Sequence, residues 1–334
     1  MNFIKKAKNN FFGKLVLVIF SSFIYFDALA QSSEGYPLKP ITLLIGFSGV
    51  SDIFARAIGM KLQERLGQPV VVELKPGASG VISTSALSKA KPDGYTIGIV
   101  ISNHATNPFL QQLPYDTMKS FAPISMLGRV PIALTISTRA NGAVSSATSL
   151  EEFVTQARKS VPGVSFASAG TGGMTHLTGE LFKNIFKIDM VHIPYKGGAP
   201  ALNDLLGGQV QIQFPTTALI SRFHQNKDER LRVLAVASEV RVSSMPDVPT
   251  FKELGFGELV VSEWYALMAP AGTPSQIINK LSQAVIEVMK HPEVQSKVPG
   301  MVTAGSRPEE VDTFLKTEMQ RWSKLIIDSN IKME

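Results

Sequence analysis

The chain has 334 residues, of which 44 % are hydrophobic and 18 % charged, and it contains no cysteine. This length and apolar content exclude a disordered or collagen-like chain and favour two lobes, since a domain usually has about 100–200 residues. The missing cysteines exclude disulfides, thiolate catalysis and cysteine-ligated metal clusters. Without the four lysines and one aspartate of the first 30 residues, the formal net charge falls from +6 to +3, too low for a nucleic-acid-binding surface.

The first 30 residues have the pattern of a secretory signal peptide. Four lysines precede an apolar run over 15–20, and residues 28–30 fit a small-x-small cleavage site. We predict cleavage after about Ala30 and an exported mature chain. The alternative is a retained membrane anchor, but Ser21 and Ser22 leave an uninterrupted apolar run that is shorter than the ~20 residues a span needs.

The mature chain alternates strand-like runs with helical patterns, which is typical of an α/β fold with mainly parallel sheets. Strands are predicted at 41–45, 70–73 and 95–101. Between them lie a helix over 52–66 and a second helix that ends at about residue 90. Gly67 stands where a glycine commonly ends a helix. Three strands and two helices make one βαβαβ half.

A second half begins near Pro131. Its first helix has Ser149 or Thr148 as a candidate cap, because Glu151 and Glu152 follow in the first turn. The predicted helices are 150–159, 174–186, 199–206, 274–290 and 307–327, and the predicted strands are 164–167, 190–193, 210–214 and 231–237.

Several catalytic motifs are missing from the chain. It has no phosphate-binding P-loop, no complete dinucleotide fingerprint and no zinc-type histidine spacing, which predicts no cofactor and no metal. The five histidines are scattered: His104, His176, His192, His224 and His291.

The strongest enzymatic alternative is a secreted serine hydrolase that uses Ser168. A strand, this serine, a turn and a helix follow in the order of a nucleophile elbow. Phe166 stands where that motif needs glycine, and no persuasive acid and histidine pair follows. His192 and His224 stay open as partners.

Two loops share one design, in which a strand ends, a stretch of Gly and Ser follows and a helix begins. They are 46–51 and 168–173. Backbone N–H groups in such turns are unpaired, and the helix start adds partial positive charge, so each loop favours an anion. Either loop alone could be an ordinary turn, but ligands of open α/β sheets bind at the carboxyl ends of strands, which supports both loops together.

Many ordered motifs carry a resemblance to a known family. They occupy 66–73, 75–78, 92–96, 113–116, 121–124, 176–182, 192–201, 204–210 and 269–274. In these motifs the chain resembles the Bug family of periplasmic solute-binding proteins, the receptor components of tripartite tricarboxylate transporters. The resemblance covers essentially the whole mature chain.

The resemblance implies a two-lobed periplasmic binding protein of type II-like architecture, with a hinge between the lobes. Residues 31–130 and 261–334 would form one lobe and 131–260 the other. It further implies a monomeric periplasmic receptor, not an enzyme, that encloses a small mono-, di- or tricarboxylate. Its partner would be the membrane permease of a tripartite tricarboxylate transporter or a sensor protein.

The implied ligand-binding residues follow from matching positions. One lobe would contribute Phe47, Ser48, Gly49, Val50, Ser51, Asp52, Asn103 and His104. The other would contribute Ser168, Ala169, Gly170, Thr171, Gly172, Gly173, Thr175, Tyr195, Lys196, Phe214, Pro215 and Thr216. His176 would support the second loop from its helix, and Trp264 and Tyr265 would lie near the hinge, where Trp264 either reports closure or only packs in the core.

Two departures from the family pattern matter. The first loop is about two residues shorter than the family pattern and carries Val50 where glycine is usual. Because valine adopts a positive φ only at an energetic cost, the contribution of this loop to anion binding stays open. Pro215 and Thr216 replace an Asp-Asn pair, which removes an acid that could meet a ligand ammonium group and argues against an amino-acid ligand.

Overall fold

The computed structural model describes residues 35–303 and 305–332. The predicted signal peptide and its cleavage site near Ala30 lie outside these residues. Within the same residues, no helix combines the length and the hydropathy that crossing a membrane requires.

The described residues form eleven strands and ten α-helices, and these belong to one unit that begins at Pro37. The strands are β1 (Ile41–Ile45), β2 (Val70–Leu74), β3 (Thr96–Ile101), β4 (Phe121–Pro131), β5 (Ala133–Ser137), β6 (Val164–Ser168), β7 (Met190–Pro194), β8 (Ile212–Gln213), β9 (Leu231–Val236), β10 (Ser262–Pro270) and β11 (Val302–Thr303). The helices are α1 (Val50–Leu66), α2 (Val81–Ser88), α3 (Asn103–Thr106), α4 (Leu150–Ala157), α5 (Met174–Phe186), α6 (Gly198–Gly207), α7 (Thr217–Gln225), α8 (Ser275–Val288), α9 (Pro292–Gln295) and α10 (Pro308–Asp328).

Local sequence sets the ends of two helices as predicted. Helix α1 ends at Gly67, which has a φ of 71° and donates its N–H to the carbonyl of Gln63. Helix α4 begins after Ser149, whose hydroxyl accepts the N–H of Glu152 at 3.2 Å. The Glu152 carboxylate in turn accepts the N–H of Thr148 at 2.7 Å. The backbone N–H groups of Thr148 and Glu152 are therefore both paired at this helix start.

Two sheets, each flanked by helices, form the two-lobed α/β architecture that the sequence predicts. The first sheet has the order β11-β4-β10-β3-β1-β2 and the second β7-β6-β8-β5-β9. The sheets are mixed, and not mainly parallel as expected: β10 runs antiparallel to both β3 and β4, and β5 runs antiparallel to β8 and β9. The reason is that β4 leads out of the first sheet and β10 leads back into it, so these neighbours run in opposite directions.

The crossing segments between the sheets are short and lie side by side. Ile132, between β4 and β5, donates its N–H to the carbonyl of Val261, which directly precedes β10, at 3.3 Å. Val261 donates to the carbonyl of Ala237 at 3.1 Å. The predicted lobe boundaries at 131 and 260 stay a prediction.

Helix α10 packs on the cores of both sheets. Its first half places Val311 and Leu315 in the core of the first sheet, beside Trp264. Its second half places Trp322 and Ile326 in the core of the second sheet. A single helix therefore packs against both lobes.

Candidate functional site

The β1–α1 loop keeps an accessible helix start despite its shortness. Gly49 carries the positive φ of 75°, and the next residue, Val50, is the first residue of α1 and 41 % exposed. Val50 therefore needs no strained backbone, because the glycine before it makes the turn.

The N–H groups of residues 48–52 have no acceptor among the described residues, and the first paired donor is Ile53, whose N–H reaches the carbonyl of Gly49 at 3.1 Å. Five donors at the N-terminus of a long helix form a suitable anion-binding surface. Asp52 turns one oxygen to Arg56 at 3.1 Å, while its Oδ1 is buried without a partner.

The Phe47 side chain packs behind this loop. Its ring lies against Gly80, where a Cβ would come within 2.7 Å of it. Behind the ring is a cavity of about 10 Å³ that His104 and Asn107 also line. This volume suits about one water molecule.

His104 lies in an aromatic cluster next to that cavity. Its ring stacks on Tyr115 at 6.2 Å and meets the edge of Phe121 at 5.1 Å between ring centroids. It is 3 % exposed, both of its ring nitrogens lack a partner in good hydrogen-bonding geometry, and burial lowers its pKa to about 4. The structure thus places this predicted site residue behind the first loop as a neutral, packed imidazole.

The second loop, between β6 and α5, uses several of its own donors internally. The N–H of Ala169 bonds to Thr175 Oγ1 at 2.9 Å and that of Gly170 to Ser168 Oγ at 3.1 Å. The N–H of Gly172 bonds to His176 Nδ1 at 3.0 Å, so His176 holds the loop.

Fewer backbone N–H groups stay unpaired in this loop than its glycine content suggests. Gly173 also bonds within the loop, to the carbonyl of Gly170 at 3.3 Å. Among the donors of residues 169–175, only those of Thr171, Met174 and Thr175 lack an acceptor in the described part of the chain. These three are therefore the N–H groups of the second loop that are available to pair with an anion.

Two stacked imidazoles lie beneath the second loop. The rings of His176 and His192 are 3.7 Å apart at their centroids and nearly parallel, and Phe166 stacks on His192 at 4.9 Å. Burial lowers the pKa of His176 to about 3, with a further contribution from His192, and burial lowers the pKa of His192 to about 4. Both rings are neutral near pH 7, which allows His176 Nδ1 to accept the Gly172 N–H.

Ser168 is bonded to the second member of this stack. Its Oγ lies 2.7 Å from His192 Nε2, but the residue is 0 % exposed and the same oxygen also bonds to Gly170. Among the described residues, no carboxylate hydrogen-bonds to His192, and no group of three His, Asp or Glu side chains could hold a metal ion. In this structure the Ser168–His192 pair holds the loop.

The other predicted residues of the second lobe lie on the segments that follow β7 and β8. Tyr195 donates its N–H to the carbonyl of Ser168 at 3.1 Å, and its hydroxyl turns away to Asp204 at 2.6 Å. Lys196 is exposed. Phe214 is buried in the aromatic core with Phe182, and Pro215 and the half-buried Thr216 follow it at the end of β8.

Sequence reasoning missed two residues near the predicted site. Thr106, in α3 after β3, donates its hydroxyl to the carbonyl of Gly172 at 3.4 Å, which joins the two lobes directly. It follows the predicted residue Asn103, which is buried in the same short helix. The position of Thr106 shortly after the end of β3 was the sequence signal that could have identified it.

Glu263 is the second missed residue. On β10, its Oε1 accepts the N–H of Ser102 at 3.2 Å and also the Ser102 hydroxyl. Burial raises the pKa of Glu263 to about 7. An acid at the start of an otherwise apolar strand was the available signal.

Comparisons with known proteins identify the family of the chain. The model of the tripartite tricarboxylate transporter family receptor matches residues 54–331. BugT from Bordetella pertussis is 32 % identical over 96 % of this chain and 98 % of its own length.

Two solved structures share the fold. R. palustris Rpa4515 with adipate has a TM-score of 0.78 and 27 % identity and covers 90 % of this chain and 100 % of that one. MatC from Rhodopseudomonas palustris with bound malate has a TM-score of 0.74 and 26 % identity and covers 87 % of this chain and 100 % of that one. They confirm the periplasmic-binding-protein fold.

The family match spans most of the chain, and the identity to BugT extends over nearly all of it. Membership of this family implies an exported, periplasmic protein. The chain belongs to the tripartite tricarboxylate transporter receptor family, whose members are solute-binding receptors and not enzymes.

Proposed function

We propose that this receptor binds a small mono-, di- or tricarboxylate in the cleft between its lobes, without making or breaking a bond. The observation that carries the proposal is the pair of open donor sets, residues 48–52 on one lobe and Thr171, Met174 and Thr175 on the other. Each charge-assisted hydrogen bond to a carboxylate contributes about 1.5–3 kcal/mol, so few are needed for useful affinity.

The two relatives with bound adipate and malate support a carboxylate ligand. The direct bond between Thr106 and the Gly172 carbonyl supports a site shared by both lobes. The ligand-binding residues are the open donors of the two loops, whereas His104, Tyr195 and Phe214 shape the surroundings of the cleft.

The partners follow from the family. The receptor delivers its ligand to the membrane permease of a tripartite tricarboxylate transporter or to a sensor protein. It acts as a monomer in the periplasm after cleavage near Ala30. Mass spectrometry of the exported protein tests the cleavage site directly.

Calorimetry on the exported protein with a panel of mono-, di-, tri- and aromatic carboxylates tests the binding. At least one carboxylate should bind and raise the melting temperature by mass action. Flat responses across the whole panel would contradict the proposal. The corresponding uncharged amides serve as controls and should not bind.

One contact favours a second candidate function. The 2.7 Å hydrogen bond between Ser168 Oγ and His192 Nε2 is the geometry in which a histidine activates a serine. A chromogenic ester assay with wild type and Ser168→Ala tests it. Turnover that the substitution removes would establish a hydrolase, and equal background in both proteins would exclude this role for Ser168.

A further inference from the structure

We propose that Glu263 determines specificity by accepting a hydrogen bond from the ligand, so that the receptor prefers carboxylates carrying a hydroxyl or ammonium group. This inference rests on the proposed carboxylate-binding function. It concerns the part of the ligand that the two donor loops do not contact.

Glu263 lies at the end of the first sheet that faces the second lobe. It is the second residue of β10, two residues after Val261, where the chain re-enters this sheet. Its partner Ser102 directly follows β3, whose carboxyl end lies beside that of β1 and therefore beside the first loop. The carboxyl group thus lies at the edge of the first sheet that also carries the first loop.

The neighbours of Glu263 on β10 point toward the first loop. Tyr265 is two residues further along, so both side chains lie on one face of the strand. The Tyr265 hydroxyl lies 3.5 Å from Ser51 Oγ in the first turn of α1, and its ring meets that of Phe54 at 5.5 Å. Glu263 therefore lies on the sheet face covered by the helix that presents the open donors.

The segment after β3 connects Glu263 with the second loop as well. Its first residue, Ser102, binds the carboxyl of Glu263, and Thr106 binds the carbonyl of Gly172. One short segment of five residues thus touches Glu263 at one end and the opposite lobe at the other. A ligand between the two loops would lie next to this segment.

Hydrogen bonding leaves one side of the carboxyl group unused. Both bonds from Ser102 go to Oε1, and Oε2 has no hydrogen bond to the described residues. Oε2 is also not sealed from solvent, unlike the unpartnered Asp52 Oδ1 and Gln213 Oε1. An acceptor that is free of protein donors and reachable from solvent is also reachable by a ligand, and a ligand hydroxyl or ammonium group supplies a donor for it.

To the ionised form of Glu263, a carboxylate ligand without a donor would instead bring a second negative charge and leave Oε2 unpaired. This asymmetry is the basis of the selectivity.

The test is calorimetry on the exported protein with matched carboxylates that share one carbon skeleton and differ in the donor. The sets are propionate, lactate and alanine; succinate, malate and aspartate; and glutarate, 2-hydroxyglutarate and glutamate. The tightest ligand of the wild type should carry a hydroxyl or ammonium group and bind at least tenfold more tightly than its donor-free counterpart.

Glu263→Leu should lower the affinity for that ligand at least tenfold. The same substitution should change the affinity for its donor-free counterpart less than threefold. Glu263→Gln keeps an acceptor but no charge, so it should largely preserve hydroxyl ligands and weaken ammonium ligands. Glu151→Leu, an exposed position on α4, is the control and should change neither.

Two results would overturn the inference while leaving carboxylate binding intact. One is a tightest ligand without a donor, and the other is an equal loss for both members of a pair in Glu263→Leu. If no carboxylate binds at all, the proposed function fails, and this inference fails with it.

Discussion

Gly172 has two backbone hydrogen bonds that reach different parts of the molecule. Its N–H bonds to His176 on its own lobe, and its carbonyl accepts the Thr106 hydroxyl from the other lobe. The residue has a φ of 75°, which glycine adopts without strain. The backbone of one residue therefore links His176, which supports the second loop, to Thr106 on the other lobe.

Gly172→Val should abolish binding while leaving the fold nearly intact. A β-branched residue at this φ costs about 1–2 kcal/mol and shifts both hydrogen bonds of Gly172. We expect at least a tenfold loss of carboxylate affinity by calorimetry and a stability loss of about 1–2 kcal/mol by urea denaturation.

The matched control is Gly67→Val. Gly67 has nearly the same φ, 71°, but lies at the far end of α1, where a Cβ would meet nothing within 4 Å. It should show a similar loss of stability and unchanged affinity. Unchanged affinity in Gly172→Val would show that the second loop does not contact ligand.

At the scale of elements, α10 connects the cores of the two lobes through one carboxylate. Glu318 Oε2 accepts the indole N–H of Trp264 from β10 at 3.3 Å and that of Trp322 from α10 at 3.0 Å. The two indoles are 1 % and 0 % exposed. Trp264 thus packs in the core, against Phe314, and also lies beside a helix that contributes to both cores.

Glu318→Leu should destabilise the protein by about 2–4 kcal/mol, because it leaves two buried indole N–H groups without an acceptor. Glu318→Gln keeps one acceptor oxygen and should lose clearly less. Urea denaturation followed by tryptophan fluorescence measures both. Equal stability of the wild type and Glu318→Leu would show that this bridge contributes nothing.

The order of elements could be read from the sequence because it depends on local signals. Gly67 and Ser149 end and begin helices as expected, since both act within one turn. Boundaries shifted where packing decides: α1 begins at Val50 and not at 52, and the predicted strand over 210–214 shortens to Ile212–Gln213.

The candidate site was predictable only in part. The two loops follow from their composition, but the pairing of their N–H groups depends on Thr175 and His176 folding back. The stack of His176 on His192 arises because β7 lies beside β6 and aligns His192 with Phe166. Glu263 belongs to a strand distant in sequence from Ser102, so no local pattern joins them.

At the scale of the whole molecule, buried imidazoles set the pH dependence of stability. His104, His176 and His192 have pKa values lowered from 6.5 to about 4, 3 and 4, so the folded state binds fewer protons than the unfolded state below about pH 6.5. Stability therefore falls as pH falls through this range. Glu263, whose pKa burial raises from 4.5 to about 7, and Glu180, whose pKa burial also raises, act in the opposite direction and offset part of this loss.

His104→Phe separates one of these contributions, because the ring already packs among Tyr115 and Phe121 without a hydrogen bond in good geometry. With a folded pKa of about 4, His104 should account for about 2 kcal/mol of the stability lost between pH 7.5 and pH 5. Urea denaturation at the two pH values should therefore show a loss about 2 kcal/mol smaller in the variant than in the wild type. At pH 7.5 the variant should be at least as stable, since phenylalanine places no unpaired nitrogen in the core. An identical pH dependence in both proteins would mean that His104 is not the buried neutral group described here, and that acid sensitivity arises at His176 and His192 beneath the second loop.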